Sequence, residues 1–329
     1  MKLIKELILW LLFISLIIAG LAGFYALRPL SFSQLPYEFS LKQGSSLKSA
    51  ARQMSQAGVI PGDSLFVLLA RSLGKATQIK PGNYEITEPV TPLQLLDMIS
   101  KGRVEQGEIT IVEGISFRQL RQVLNSSASL QHDSAALSDD EILTRIEATE
   151  MLAEGLFFPD TYNFAAGSSD LAVLKRAYQL MLRHLQESWS QRDANLPLKT
   201  PYEALILASI VEKETGQAKD RPMIAGVFIN RLKKHMLLQT DPTVIYGIGE
   251  KFDGNLRKRD LQTDTPYNTY TRGGLTPTPI ALPGLAAIQA VLHPAQTNAL
   301  YFVARGDGSS YFSSTLNEHI NAVNRYQIK

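Results

Sequence analysis

From residue 7 to residue 27 the chain reads LILWLLFISLIIAGLAGFYAL, 21 residues without a charged side chain. As an α-helix rising about 1.5 Å per residue, this run would extend ~31 Å, close to the ~30 Å hydrocarbon core of a bilayer. Lys2 and Lys5 precede it and Arg28 follows. The extra positive charge on the N-terminal side favours a cytoplasmic N-terminus. Gly20 and Ala22 would also permit cleavage as a signal peptide, but the run is long for a signal peptide's apolar segment. The expectation is a cytoplasmic tail over 1–6, a transmembrane anchor over 7–27 and a tether over 28–36. The rest of the chain is then expected outside the cytoplasm, held at the inner membrane.

With 329 residues, the chain has room for two domains of ordinary size beyond such an anchor. Hydrophobic residues make up 45% and charged residues 19%, the balance of a globular protein with a real core. The formal net charge of +2 and the lack of long like-charge blocks argue against a nucleic-acid partner. The absence of cysteine excludes disulfides, thiolate metal sites and a cysteine nucleophile. The five histidines are scattered, with no H-E-x-x-H pair, and no glycine-rich phosphate loop occurs. No cofactor and no metal are expected. SSLK at 45–48 matches S-x-x-K formally but lacks an accompanying K-T-G, so it carries nothing.

Alternation of short elements predicts an α+β module over 37–125. YEFSL reads as a strand, SSLKSAARQMSQAG as an amphipathic helix stopped at Gly58, and PGDSLFVLLARSLG as a second helix ended at Gly74. PGNYEIT turns into a strand, TPLQLLDMISKG is helical, and GEITIVEG is a strand. The polar stretch over 126–140 is expected to be a linker. A second, mixed α+β domain is expected over 141–329, with helices at SDDEILTRIEATE, DLAVLKRAYQLMLRHLQESWSQR, EALILASIVEKETG and DRPMIAGVFINRLKK. Beyond Gln239, QTDPTVIYGIGEKFDGN and TPYNTYTRGGLTPTPIALPG are rich in Gly, Pro, Thr, Asn and Tyr. They are expected to be loops that carry function or build a cleft wall.

The helix ending in ASIVEKETG is the chemically informative one. Thr200 suits an N-cap, Pro201 the first helical position, and Glu203 completes a T-x-x-E capping box. Gly216 is expected to close the helix in a left-handed conformation. In that phase Leu207, Ile210, Val211 and Glu214 follow one face, while Glu212 shares another with Leu205, Ala208 and Ser209. A carboxyl on the apolar column at the negative end of the helix dipole holds its proton more tightly. That is what a general acid requires. The alternative is that Glu214 surfaces and pairs with Lys213 or Arg221. Tyr246, Tyr267, Asn268 and Tyr270 suit sugar binding, where aromatic faces stack and amides meet hydroxyls. Loop packing is the alternative for each.

SIVEKET, GVFINRL, LQTDPTVIYG, YNTY, GLTPTPIALPG and HPA followed by LYFVA occur in this order. Together with GLFFPDTYNF they resemble the membrane-anchored endolytic murein transglycosylases known as MltG or YceG-like proteins. The resemblance covers nearly the whole chain. It implies a LysM-like module near the membrane, sugar-binding or a spacer, followed by a catalytic domain that cleaves inside peptidoglycan glycan strands. It places the catalytic glutamate at Glu214, the second in EKET, and makes Glu212 a supporting residue. Gln239 and Asp241 in LQTDPT join Tyr246, Tyr267, Asn268 and Tyr270 as expected substrate-binding positions, with Asp241 positioning substrate or stabilising its loop. Ordinary glycosidases use two carboxylates. A lytic transglycosylase uses the muramic acid's own C6 hydroxyl as nucleophile, so one glutamate serves as acid and then base and leaves a 1,6-anhydro end. The partners implied are peptidoglycan strands, the membrane and the synthases that make the glycan. A non-catalytic wall-binding or division-scaffold protein and an ordinary hydrolase remain the rivals.

Overall fold

The computed structural model describes residues 10, 13, 16–17, 20–32, 37–86, 89–102, 106–150 and 152–327. Much of the expected anchor over 7–27 therefore lies outside the described residues. Among the described residues, no helix is long and apolar enough to cross a membrane. The chain divides into two compact units. The first comprises Met1–Glu108 with Ser129–Gln131 and Asn163–Ser168, and the second Ile109–Ala128, His132–Tyr162 and Ser169–Lys329. Residues 109–128 thus join the second unit, although their sequence pattern continues that of the small module.

In the first unit, β1 (Tyr37–Leu41) pairs antiparallel with β2 (Gly82–Ile86), from Tyr37 opposite Ile86 to Leu41 opposite Gly82. Three helices accompany them: α1 (Leu47–Gln56), α2 (Asp63–Ser72) and α3 (Pro92–Lys101). Each begins or ends where the local chemistry dictates. Ser46 caps α1, and Gly58 and Gly74 take the left-handed conformation after α1 and α2. Thr91 and Gln94 form a reciprocal capping box on α3, and Gly102 ends it left-handed. The core closes around Phe39, Met54, Phe66, Tyr84, Leu95 and Ile99, with the Phe39 and Tyr84 rings stacked at 5.3 Å.

The second unit is mainly helical: α4 (Phe117–Asn125), α5 (Asp139–Arg145), α6 (Asp170–Ser190), α7 (Pro201–Glu214) and α8 (Arg221–Lys233). Then follow α9 (Asp241–Ile248), α10 (Lys258–Gln262) and α11 (Leu285–Leu292). The hairpin β3 (Tyr301–Ala304) with β4 (Ser310–Ser313) and helix α12 (Leu316–Tyr326) complete it. Helix α11 packs against α6, α7 and α8, and α9 also touches α7. Helix α7 is thereby enclosed, and every residue from Ala204 to Val211 is buried. The stretch expected as a loop after Gln239 forms α9 instead. Asp241 and Pro242 start it, and Thr243 and Val244 are buried beneath it.

The expected linker over 126–140 is partly structured. Ser134 donates to the carboxylate of buried Asp170 through both its amide (3.1 Å to Oδ1) and its hydroxyl (2.5 Å to Oδ2). That carboxylate lies at the start of α6, where a negative charge meets the free amides of the first turn. The stretch 263–284, by contrast, has no helix or strand, as its composition predicts. Its buried residues nonetheless include Asn268, Thr269, Thr276, Thr278, Ile280 and Leu282.

Candidate active site

The start of α7 follows its sequence signals closely. Thr200 Oγ accepts from the Glu203 amide at 3.2 Å. The Glu203 carboxylate reaches one residue further back than a capping box would, accepting from Lys199 N at 2.5 Å. The end differs from expectation. Thr215 turns the chain extended (φ −150, ψ 133), and Gly216 is not left-handed. Glu214 is thus the last helical residue.

Because α7 is buried on all sides, both of its terminal carboxylates turn inward. The Glu212 side chain is only 5% exposed. It accepts from Gly284 N at 3.0 Å and from Arg221 Nη2 at 3.2 Å, and Arg221 also lies 3.8 Å from Glu113. A Cβ on Gly284 would stand 1.9 Å from Glu113 Oε1, so a larger residue there would push the Glu113 carboxylate aside. Glu212 therefore ties the end of α7 to the end of the 263–284 loop. Lys213 is exposed and donates to Gly114 O at 3.0 Å.

Glu214 pairs with neither Lys213 nor Arg221. Its Oε1 accepts a short hydrogen bond from Thr240 Oγ1. Burial pushes its carboxyl up to about 7, the nearby Asp241 charge adds to the rise, and Thr240 and Arg231 oppose it. The group therefore keeps a large protonated fraction close to neutral pH. Replacing Thr240 with valine removes the hydrogen bond that favours the carboxylate. The alkaline limb of the activity profile is expected to move to higher pH, with a rate loss of roughly tenfold, readable from initial rates between pH 5 and 9. A profile identical to wild type would contradict this role for Thr240.

Thr240 is itself fixed by a knot of hydroxyls. Its amide donates to Thr269 Oγ1 at 3.1 Å, and Thr243 Oγ1 lies 2.8 Å from Thr240 O and 2.9 Å from Thr269 Oγ1. Arg231, buried on α8, secures the segment before it. Its Nε donates to Leu300 O at 2.7 Å, and its Nη1 to Leu237 O at 3.2 Å and Leu238 O at 2.8 Å. Gln239 then passes through φ 48, unusual for a side-chain-bearing residue, with its amide on Thr269 O and its side chain exposed.

Among the other expected site residues, Asp241 and Tyr270 come together, the Tyr270 hydroxyl donating to Asp241 Oδ1 at 2.5 Å. Burial and the Asp241 carboxylate push the Tyr270 phenol upward, so it remains a donor. Tyr246 and Tyr267 meet edge to face at 4.9 Å in the wall of a cavity of about 840 Å³. Asn268 is fully buried. Its amide donates to the carbonyls of Asp260, Leu261 and Thr263, and its oxygen accepts from Tyr270 N. It shapes the loop that presents Tyr267 and Tyr270.

Sequence patterns do not single out Thr240, Thr243, Thr269, Arg231 or Glu154. Each has at least one partner far along the chain, such as Glu214 for Thr240, 26 positions away, and Tyr246 for Glu154, 92 positions away. Glu154 had one local cue, since it precedes Gly155, whose φ of +83 and close approach to Pro279 mark a fixed turn.

A buried carboxyl that holds a proton close to neutral pH is a feature that acid–base chemistry can use. The chain belongs to the YceG-like family, whose model matches residues 39–325. It is 30% identical over 311 residues to an endolytic murein transglycosylase of Bacillus subtilis strain 168, covering 89% of this chain and 86% of that protein. It is 26% identical to an endolytic murein transglycosylase of Streptococcus pneumoniae serotype 2 strain D39, covering 94% of this chain and 63% of that protein. The crystal structure of a yceG-like protein of Listeria monocytogenes matches with a TM-score of 0.55 at 27% identity. That match covers 86% of this chain and 97% of the other.

Proposed function

We propose that this protein is a membrane-anchored endolytic lytic transglycosylase that cleaves the MurNAc–GlcNAc bond inside nascent peptidoglycan strands. The observation that carries this is the Glu214 carboxyl, held by Thr240 and raised to about 7 by burial. Protonated Glu214 donates to the glycosidic oxygen as the C1–O bond breaks, and the leaving sugar departs with a free hydroxyl. The resulting carboxylate takes the proton of the muramic acid's C6 hydroxyl as that oxygen closes on C1. The glutamic acid is regenerated, a 1,6-anhydro end forms, and no water is consumed. Asp241, held by Tyr270, positions the substrate, and Glu212 supports the helix end.

Anchoring through residues 7–27 is part of the same proposal. Among the described residues of that run, Trp10, Phe13, Leu16, Leu21 and Phe24 are exposed, while Ala26 is buried. An exposed apolar row of this kind suits lipid. The first unit is proposed as a LysM-like spacer outside the cytoplasm, and the glycan synthases as partners.

Mass spectrometry of uncross-linked glycan strands digested by the purified protein tests the reaction. Anhydro-muramic ends are expected. Hydrated reducing ends would make the protein a hydrolase, and strands left intact would make it a wall-binding scaffold.

A further inference from the structure

The cavity of about 840 Å³ in the second unit plays no part in the proton transfers above. It shares elements with the Glu214 site. Lys213 lines it, as do Pro242, Ile245 and Tyr246 of α9, the helix whose N-cap Thr240 holds Glu214. Its volume falls within the range of about 300–1,000 Å³ typical of sites that enclose small ligands.

The chemistry of the walls narrows what would fit. Arg118 pairs with Glu250 at 2.6 Å, and Asp139 with Arg121 at 2.7 Å, so these charges are balanced before any ligand arrives. The Lys213 ammonium donates to Gly114 O. Among the described residues the Lys213 charge meets only that carbonyl, and Glu154 is the buried carboxyl of the wall. Its Oε1 accepts from Phe117 N at 2.9 Å and its Oε2 from Tyr246 Oη at 3.1 Å. Burial pushes the carboxyl up to about 7 against these hydrogen bonds, so close to neutral pH a protonated fraction can also donate. Beside it, Tyr246 and Tyr267 form an aromatic corner, with the Tyr267 hydroxyl 3.0 Å from Thr278 Oγ1. An aromatic wall with a buried carboxyl beside it suits a ligand with one C–H face and one hydroxyl or amide edge. A pyranose ring has both.

We propose that this cavity seats an N-acetylhexosamine ring of the glycan strand away from the cleaved bond, packed against Tyr246 and Tyr267 and hydrogen-bonded by Glu154. Glu154 is then a substrate-binding residue. This rests on the glycan-cleaving function proposed above.

Binding is measured in a Glu214→Gln background, where strands stay intact, by calorimetry with peptide-free glycan strands of two and of eight sugars. Adding Glu154→Gln is expected to weaken binding of the eight-sugar strand about tenfold and leave the two-sugar strand unchanged. Ile245→Trp, which fills the cavity, is expected to do the same. In the otherwise wild-type enzyme, Glu154→Gln raises KM for long strands about tenfold with kcat kept within twofold and the melting temperature not lowered. Unchanged long-strand affinity in both variants would overturn the subsite. So would a fall in kcat with KM and binding unchanged, which would make Glu154 a support of the fold. If the wild-type protein binds long strands through Glu154 yet cleaves none, the subsite stands and the catalytic proposal fails.

Discussion

Glu214→Gln is expected to slow strand cleavage by roughly 10²–10⁴-fold, the usual worth of a general acid–base group, while making the protein more stable at alkaline pH. Glutamine keeps the acceptor for Thr240 but has no proton to give. The stability effect follows from the raised carboxyl. Its folded value is about 7 against an ordinary 4.5, so between those values the native state holds a proton that the unfolded chain releases. Wild-type stability therefore falls as pH rises from about 4.5 to about 7, by about 3 kcal/mol, and changes no further from this source above that window. The glutamine variant lacks this slope. Near pH 4 the two proteins should unfold at similar urea concentrations, and at pH 8 the variant should resist more urea. A variant that releases strand ends as fast as wild type would defeat the mechanism. Parallel stability curves would show that the carboxyl is not desolvated.

Arg231→Met carries the largest expected stability loss. Methionine fills much of the volume but leaves the carbonyls of Leu237, Leu238 and Leu300 without their buried donor. With at least ~1 kcal/mol lost per orphaned acceptor, the variant should be about 3 kcal/mol less stable, a fall in melting temperature of roughly 6–12 °C. Activity should fall with it, because the 237–241 segment that delivers Thr240 to Glu214 loses its seat. Arg231→Lys is not expected to rescue either property, since an ammonium cannot reproduce the fork of donors. Thermal melts and cleavage rates on the two variants decide this. A methionine variant that melts with wild type would show that the segment is held from elsewhere.

The long helices are legible in the sequence because their signals are local. Ser46, Thr91 and Thr200 cap where they should, and Gly58, Gly74 and Gly102 turn left-handed where a helix must stop. Helix phase separates Glu214 from Glu212 only where a helix has a wet face and a dry one. The helix has no wet face between Ala204 and Val211, so phase alone does not distinguish Glu214 from Glu212. What separates them is their partners: an arginine and a loop amide for Glu212, a threonine hydroxyl for Glu214. Neither set is visible to any local pattern. Helix α9 was hidden for a related reason. Its eight residues are too few to show a period, and its Gly and Pro content imitates a loop. The division of the chain near residue 108 was also obscured, because the elements on either side of it have the same short alternating pattern.

The loop over 263–284 and helix α7 are joined by two bonds that connect a loop amide to a helix side chain, Ile280 N to Ser209 Oγ at 2.9 Å and Gly284 N to Glu212 at 3.0 Å. A loop without regular structure ordinarily frays one residue at a time. Here the amides have no neighbouring strand to fall back on, and opening either one also takes one of its partners from a buried polar group on the helix. The amides of Ile280 and Gly284 are accordingly expected to exchange on the slow timescale of a core helix, although they lie in an irregular segment. The proton-holding end of α7 is thus kept rigid by the least regular part of the chain.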